Sequence, residues 1–298
     1  MAKQFVFKSA RPIKEHELPR DWAEIIAASF SRLGDDYDES NKGIPHFQIC
    51  SGKIDEVVAG IIGQTGLTNV LDVGVGDGQR LLRIKSLVEQ QKRFVSLYGT
   101  DISEVMVSVA NSRGIETRQQ DMRNRLPFNN GSMDAVLYLS GDFGYVMSPG
   151  AEGREGDGLR LQTLNYAHDV LTPGGVLVLE LMTHDNPNQE KKGHVSVYTR
   201  TRIVDGVAEQ PMQFYLKNFR FGEVQRLVSA SRFDVAQAEV HYMLRWPQRG
   251  EGVTDNREVG SIVGSFPGFS GFDISRIHPK VDDIPNRAGY LMLVVLKK

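Results

Sequence analysis

Apolar and polar positions alternate in two ways between residues 69 and 181. Short apolar runs rich in Val and Leu predict buried strands, and apolar residues at helical spacing predict helices between them. The predicted strands are Asn69–Val73, 94–100, 115–119, 134–139 and 176–181. The predicted helices are 78–90, one that Ser103 caps, and 159–171. Because strands and helices alternate, the pattern predicts an α/β fold with a doubly wound, mostly parallel sheet.

The residues before this core, 1–66, predict a helical N-terminal cap. Apolar residues recur at helical spacing in 21–33 and 53–62, which predicts two helices. Residues 34–48 between them are polar and turn-like. We therefore expect a loop to separate the two helices of the cap.

The residues after the core predict a β-rich insertion that follows the fifth strand. Two β patterns, Val195–Val204 and 207–216, flank Asp205-Gly206, a favoured hairpin turn, and Pro211 predicts an edge position. The remaining predictions are a helix at 222–230, a strand at 235–242, a polar surface insertion at 245–287 and an apolar strand at 289–296. With these closing strands the sheet has seven strands. We predict a single domain, 1–298, whose core is 67–182 and whose hairpin, insertion and closing strands occupy 183–298.

Composition and charge limit the classes of partner. The 298 residues carry a formal net charge of −2, which gives no electrostatic reason to expect a nucleic-acid partner. The single cysteine, Cys50, excludes an internal disulfide framework. No apolar run has the form of a signal-peptide core or the length of a bilayer span. We therefore predict a soluble, cytoplasmic protein with no membrane partner.

The segment VLDVGVGDG, residues 70–78, carries the strongest chemical signal. A buried strand runs into a turn with Gly74, Gly76 and Gly78 at alternate positions, and Asp72 precedes them. Glycine allows positive φ and lets a ligand approach with no Cβ in the way. A strand that turns into a helix presents free N–H groups to such a ligand. The segment therefore predicts a nucleotide-like cofactor site at the carboxyl ends of the strands.

The spacing acid-x-G-x-G-x-G resembles the first motif of the class I S-adenosylmethionine-dependent methyltransferases, position by position. Three later features agree with this family: Asp101 at the tip of the second strand, Asp121-Met122 after the third, and the turn LTPGGVLV into the fifth. The segment SGDFGY, residues 140–145, is similar to segments of the small-molecule branch. The resemblance covers residues 69–181 and implies a Rossmann-like methyltransferase fold.

The resemblance implies S-adenosylmethionine as the cofactor and assigns residues to it. Asp101 would accept hydrogen bonds from the ribose hydroxyls, Asp121 would accept one from the adenine amino group, and Met122 would pack on the ring. The implied cofactor-binding residues are Asp72, Gly74, Gly76, Gly78, Asp101, Ile102, Asp121, Met122 and Ser140.

The candidates for the substrate side follow the fourth and fifth strands. Methyl transfer depends mainly on positioning, so no residue is required as a nucleophile. His184, directly after the fifth strand, is the candidate general base. Tyr145 and Asp142 are candidates to orient a substrate or contact the cofactor. Tyr37 and His46 lie in the polar segment that covers the cofactor in related enzymes.

The predicted function is methylation of an O, N or C atom of a small molecule, with a homodimer as one option. A nicotinamide-dependent oxidoreductase stays an alternative, although Gln79 occupies the third glycine position of its G-x-G-x-x-G motif. A non-catalytic, methyltransferase-like binding protein is the other alternative. We predict no metal site, because the adjacent candidate ligands at 184–186 have poor geometry for a metal.

Overall fold

Two β-sheets organise the molecule. The computed structural model describes residues 3–9, 12–42, 45–150, 156–183, 195–246, 261–272 and 289–298. The helices are α1 (Trp22–Leu33), α2 (Tyr37–Lys42), α3 (Pro45–Thr65), α4 (Gln79–Gln90), α5 (Glu104–Ser112), α6 (Asp157–Val170) and α7 (Phe221–Ala230). The strands are β1 (Lys3–Ser9), β2 (Asn69–Val73), β3 (Ser96–Asp101), β4 (Glu116–Gln119), β5 (Met133–Tyr138), β6 (Leu171–Met182), β7 (Val195–Val204), β8 (Val207–Ala208), β9 (Met212–Lys217), β10 (Glu239–Trp246), β11 (Ile262–Pro267) and β12 (Gly289–Lys297).

The larger sheet has the strand order β11-β10-β12-β6-β5-β2-β3-β4. Strands β2 to β6 are parallel, and β12 lies antiparallel between β6 and β10, which confirms a mostly parallel sheet. From β2 the chain continues to β3 and β4 on one side, and then to β5 and β6 on the other. The strand order therefore reverses between β2 and β5, where open α/β sheets bind ligands at the carboxyl ends of their strands.

This sheet contains eight described strands, so the prediction of seven was wrong by one. The additional strand is β11, which pairs antiparallel with β10 at the edge of the sheet. It lies in the segment 245–287 that we predicted as a polar surface insertion. Most residues of β11 are only half-buried or exposed, so its sequence lacks the apolar run of a central strand. Its pairing depends on the free edge of β10.

Helices cover both faces of the larger sheet. Leu71 and Val73 of β2 belong to the apolar core formed with α6 and α7, whereas Val70 belongs to the core formed with α3 and α4. All three side chains are buried. Burial on both faces explains the continuous apolar runs of the parallel strands.

The smaller sheet lies beyond the carboxyl ends of β5 and β6. In it, β7 pairs antiparallel with β1 on one side and with β8 and β9 on the other. The turn residues Asp205 and Gly206 have φ of 49° and 85°, which confirms the predicted hairpin turn. Helix α1 packs on this sheet, and both contact Tyr145 and Met182 of the core. The N-terminal segment begins with β1 and is not purely helical as predicted, because β1 finds its partner in the distant β7.

Residues 34–48 form mostly helix, and the prediction of a turn-like loop there was wrong. A 3-10 turn leads into α2, and α3 begins at Pro45, well before the predicted residue 53. The polar residues Ser40 and Asn41 of α2 are buried. The hydroxyl of Ser40 donates to the carbonyl of Tyr37 (2.6 Å) and accepts from Arg200 Nη1 of β7 (2.9 Å). A tertiary hydrogen bond thus satisfies the buried Ser40 hydroxyl, and apolar periodicity does not detect such a residue.

Candidate functional site

Glycines shape the turn between β2 and α4. Gly74 and Gly76 have φ of 86° and 55°, a region that residues with a Cβ rarely adopt. The N–H groups of Gly74 and Val75 donate to the carbonyl of Thr100 at the end of β3 (2.8 and 2.9 Å). The turn therefore lies against β3. A Cβ on Gly76 would meet no atom, so the space beside that residue is open to a ligand.

Gly78 has a different role from the other two glycines. It has φ of 78°, and a Cβ there would lie 2.4 Å from Ile115 Cδ1, just before β4. The close approach to Ile115 requires glycine at this position. Gly78 thus packs beneath the turn and is not among the residues that line the cavity, and the cofactor contact predicted for it stays a prediction.

Asp101 joins the tip of β3 to the glycine turn. Its carboxylate accepts hydrogen bonds from the N–H groups of Gly76 (3.0 Å) and Ser103 (2.8 Å). Burial raises the pKa of Asp101 to about 6, against the lowering effect of these two donors. Each carboxylate oxygen keeps a second lone pair, so Asp101 can still accept from a ligand hydroxyl.

Asp121 and Met122 follow β4 and line the same cavity as Asp101. The carboxylate of Asp121 accepts two hydrogen bonds from Arg123 Nε (3.0 and 2.9 Å). The Arg123 guanidinium lies 5.2 Å from the ring centre of Trp22 in α1. A ligand that donates a hydrogen bond to Asp121 would therefore use a carboxylate that also accepts from Arg123. The sequence did not predict the pairing of Asp121 with Arg123.

A buried ionic network fixes the other end of the turn. Arg80, in the first turn of α4, donates from Nε to Asp55 of α3 and from Nη1 to Glu180 of β6 (both 2.7 Å). Arg80 Nη1 also donates to the hydroxyl of Ser140 (2.9 Å), whose N–H donates to Glu180 (2.8 Å). The network holds Ser140, just after β5, in place relative to the glycine turn.

Two buried atoms beside this network have no hydrogen-bond partner among the described residues: Asp72 Oδ1 and Arg80 Nη2. Burial raises the pKa of Asp72 to about 7, although Arg80 opposes the shift. Unpaired buried polar atoms are costly in a folded protein. One free acceptor and one free donor fit a ligand that carries both an ammonium and a carboxylate group.

The glycine turn and the strand ends border one cavity of about 390 Å³. The predicted site residues in its wall are Asp72, Gly74, Gly76, Asp101, Ile102, Asp121, Met122, Ser140, Asp142 and Tyr145. Further wall residues come from the N-terminal helices: Trp22, Ala23, Ile26, Phe30, Tyr37 and Asn41. The structure thus brings together, in one site, residues that are spread along the sequence from α1 to the segment after β5.

Asp142 and Tyr145 lie in a 3-10 turn after β5. A Cβ on Gly74 would lie 2.7 Å from Asp142 Oδ2, so this carboxylate lies directly on the glycine turn. The hydroxyl of Tyr145 is 3.3 Å from that of Tyr198 in β7. Asp142 and Tyr145 therefore connect the cofactor side of the cavity with the smaller sheet.

His184 lies outside the described residues, as does the side chain of His46, and the roles predicted for them stay predictions. Sequence reasoning missed Arg80, Glu180 and Phe30. Glu180 carried a signal, because an acid inside an apolar, doubly buried strand requires a buried partner. Phe30 carried none, because the helical spacing of an apolar core residue is the same as that of a cavity-lining one.

The described residues contain no group of three or more His, Cys, Asp and Glu side chains arranged to hold a metal ion. Among the described helices, none combines the length and the apolar character needed to cross a lipid bilayer.

Comparison with known proteins finds similarity to methyltransferases. Residues 70–175 match the family described as "Methyltransferase domain". The CcbJ methyltransferase from Streptomyces caelestis has a TM-score of 0.56 and 14% identity, with 90% of this chain and 96% of that chain covered. The sugar N-methyltransferase KedS8 from Streptoalloteichus has a TM-score of 0.51 and 17% identity, with coverage of 89% and 94%. No curated protein matches the sequence.

A third structure was solved with ligands. It is the 1,6-didemethyltoxoflavin-N1-methyltransferase from Burkholderia thailandensis with bound 1,6-didemethyltoxoflavin and S-adenosylhomocysteine. Its TM-score is 0.51 at 14% identity, with 97% of this chain and 95% of that chain covered. At these identities the three structures show that the fold is shared.

The strand order and the cavity at its point of reversal define a doubly wound α/β protein with a nucleotide-type cofactor site. Residues 70–175 match a methyltransferase domain, and this core has the fold of the class I S-adenosylmethionine-dependent methyltransferases, which the chain resembles. S-adenosylmethionine is the methyl donor of this family. The site fits that cofactor: carboxylates lie at the tips of adjacent strands, and the unpaired Asp72 Oδ1 and Arg80 Nη2 match its amino-acid part.

Proposed function

We propose that the protein transfers the methyl group of S-adenosylmethionine to a small molecule bound beside Asp142 and Tyr145. One observation carries this proposal: a single cavity contains both the glycine turn with its carboxylates and a separate aromatic wall. We assign the cofactor contacts to the glycine turn and the strand ends, which leaves the aromatic wall for the substrate. Solved structures of the same fold include a sugar methyltransferase and a toxoflavin-precursor methyltransferase, which agrees with a small substrate.

We assign the cofactor contacts by their place in the cavity. Asp101 would accept from the ribose hydroxyls, and Asp121, Ile102 and Met122 would hold the adenine ring. Gly74 and Gly76 would allow close approach along the turn. Asp72, Ser140 and Arg80 would hold the amino-acid part, with Arg80 as the residue that sequence reasoning did not include.

The protein's own contribution is positioning and the exclusion of water. When bound, S-adenosylmethionine supplies an electrophilic methyl group, whose bond to sulfur breaks with the electron pair left on sulfur. The side chains of α1 and α2 close the cavity beside the smaller sheet, so the acceptor atom is held close and away from solvent. Positioning of this kind contributes on the order of 7–11 kcal/mol. A homodimer and a role of His184 as base stay predictions from the sequence.

No observation favours a nicotinamide cofactor. Gln79 is the first residue of α4 and occupies the position where a dinucleotide loop requires its third glycine. The unpaired Asp72 Oδ1 is a hydrogen-bond acceptor, and a pyrophosphate offers it no donor.

Titration calorimetry tests the proposal. We expect S-adenosylhomocysteine to bind the purified protein with release of heat, and NAD to give none. Asp101→Asn should raise the Kd of S-adenosylhomocysteine by about tenfold or more, since a hydrogen bond to a charged acceptor contributes about 1.5–3 kcal/mol. Asp205→Asn is the matched control, because Asn suits the left-handed turn residue and lies far from the cavity. Absence of heat with folded protein would refute the proposed function.

A further inference from the structure

The wall of the cavity next to the smaller sheet combines three aromatic rings with one carboxylate. The ring centre of Phe30 lies 6.0 Å from those of Tyr37 and Tyr145. All three rings line the cavity. Asp142 lines the same cavity as the three rings, and its carboxylate lies against the glycine turn at Gly74. We call Phe30, Tyr37, Tyr145 and Asp142 the aromatic–acid wall.

Each arginine that lines the cavity is paired with an acid other than Asp142. Arg80 and Arg83 donate to Asp55, and Arg123 donates to Asp121. Arg200 lies behind the aromatic–acid wall, with its guanidinium 5.8 Å from the ring centre of Tyr37, and is not among the residues that line the cavity.

Asp142 has no such partner. Among the described residues no hydrogen bond reaches its carboxylate, and only burial and the surrounding charges act on it. A carboxylate that lines a cavity together with three aromatic rings, and that has no cation of its own, offers a site for a positively charged ligand.

This inference rests on the proposed function: we propose that the acceptor is a primary or secondary amine, bound as its ammonium ion by the aromatic–acid wall and deprotonated by Asp142. An ammonium ion gains both cation–π and charge attraction at this wall. A phenolate or carboxylate substrate would be repelled by Asp142, and a neutral hydroxyl would gain neither attraction.

The proton balance of the reaction follows from the same groups. One N–H bond of the ammonium breaks, and its proton moves to a carboxylate oxygen of Asp142. The nitrogen lone pair left behind then forms the new N–CH3 bond, and the product is a methylated ammonium ion of the same charge. Asp142 afterwards releases its proton to solvent. Burial, together with Asp72, Asp101 and Glu180, raises the pKa of Asp142 well above the usual range, while Arg80 lowers it, which makes the carboxylate a stronger base.

The first test measures binding and transfer with matched compounds. The protein loaded with S-adenosylhomocysteine is melted with a panel of primary and secondary amines, each paired with the alcohol of the same shape. In parallel, the panel is incubated with S-adenosylmethionine, and methylated products are found by mass spectrometry. We expect amines to raise the melting temperature more than their alcohols and to gain the methyl group. If no amine exceeds its alcohol, or if only alcohols are methylated, the inference is wrong while the proposed function stands. If S-adenosylhomocysteine itself does not bind, the proposed function is wrong, and the inference that rests on it is wrong with it.

The second test separates Asp142 as a base from Asp142 as a cofactor ligand. Asp142→Asn should lower kcat/KM for the best amine at pH 7 by at least 100-fold, since general-base catalysis contributes typically 10²–10⁴-fold. The loss of kcat/KM relative to the unmodified protein should become smaller towards pH 10, because more of the amine in solution is then already neutral. The Kd of S-adenosylhomocysteine should change by less than fivefold. A change of fivefold or more, or a deficit that is constant with pH, would overturn the assignment. Asp205→Asn serves again as the matched control.

The aromatic part of the wall has its own variant. Phe30→Leu keeps much of the volume but removes the π face, so the KM of the amine should rise about fivefold while kcat changes little. Phe94→Leu is the control, since Phe94 is 83% exposed and lies outside the cavity. An unchanged KM in Phe30→Leu would remove the ring from the binding site.

Discussion

At the scale of single residues, burial disfavours the ionised form of the carboxylates in the cavity. Asp72 is buried at the end of β2, and burial raises its pKa to about 7 against the ordinary value of 3.8. The unfolded chain loses this proton near pH 4, so the folded protein binds an extra proton between about pH 4 and 7. The stability from this extra proton is therefore present at low pH and lost as the pH rises through 7.

We predict that Asp72→Asn stabilises the ligand-free protein at pH 8 and does so much less at pH 5. The variant cannot ionise, so it avoids the cost of a buried charge, which for a shift of this size is on the order of 2–4 kcal/mol. Urea denaturation at the two pH values measures the difference, with Asp205→Asn as the control for a surface carboxylate. A gain of equal size at both pH values would show that the raised pKa does not exist.

At the scale of elements, the glycines of the turn between β2 and α4 have two different roles: some are needed for packing and others leave space for a ligand. We predict that Gly78→Ala lowers the free energy of unfolding by about 2–4 kcal/mol, because it adds both positive-φ strain and a clash with Ile115. Gly66→Ala is the matched control, because Gly66 also has positive φ (69°) but its Cβ would meet no atom. Gly66→Ala should lower the free energy of unfolding by only about 1 kcal/mol. Equal losses in the two variants would mean that Ile115 adjusts to the extra methyl group.

Gly76→Ala should affect ligand binding more than stability. Its Cβ would enter open space, so its effect on stability should match that of Gly66→Ala, whereas the Kd of S-adenosylhomocysteine should rise at least tenfold. Calorimetry on the folded variant measures this Kd. An unchanged affinity would place the cofactor away from the middle of the turn.

The same elements show which parts of the fold the sequence could predict. The core strands and helices from β2 to β6 were predicted within a few residues, because apolar periodicity and glycine turns are local signals. β1 and β11 were missed, since each is an edge strand whose register is set by a partner distant in sequence. Residues of α2 were missed because the buried hydroxyl of Ser40 finds its partner in Arg200 of the distant β7, a tertiary contact with no local signal.

Most of the cofactor side of the site was predictable for a related reason. Asp72, Gly74, Gly76, Asp101, Asp121 and Met122 occupy fixed positions at strand ends, so their spacing reveals them. Arg80 and the rings of α1 belong to the site only through packing of separate elements. No spacing in the sequence places α1 over the carboxyl ends of β5 and β6.

At the scale of the whole molecule, one carboxylate joins the N-terminal segment to three other parts of the chain. Glu15 precedes α1 and forms an ion pair with Arg160 of α6. It also accepts from the N–H of Ser148 (2.9 Å) and lies 3.9 Å from Lys217 of β9. Arg160 is 1% exposed and the side chain of Lys217 is 6% exposed, so both cations are removed from water. The position of α1 over the cavity therefore depends on a buried ion cluster.

We predict that Glu15→Gln lowers the free energy of unfolding by about 3 kcal/mol, because it leaves two buried cations with only Asp157 and Glu223 beside them. Glu56→Gln, which removes an exposed ion pair with Lys53, should cost at most about 0.5 kcal/mol. The loss should extend to binding, because α1 carries Trp22, which contacts Arg123, the partner of Asp121. The Kd of S-adenosylhomocysteine should therefore rise several-fold. Because this ligand binds only the folded state, 100 times its new Kd should restore roughly 2.7 kcal/mol. Urea denaturation with and without ligand measures both effects. A variant that is destabilised but binds S-adenosylhomocysteine with unchanged affinity would show that the cluster stabilises the fold without positioning α1 for the cofactor.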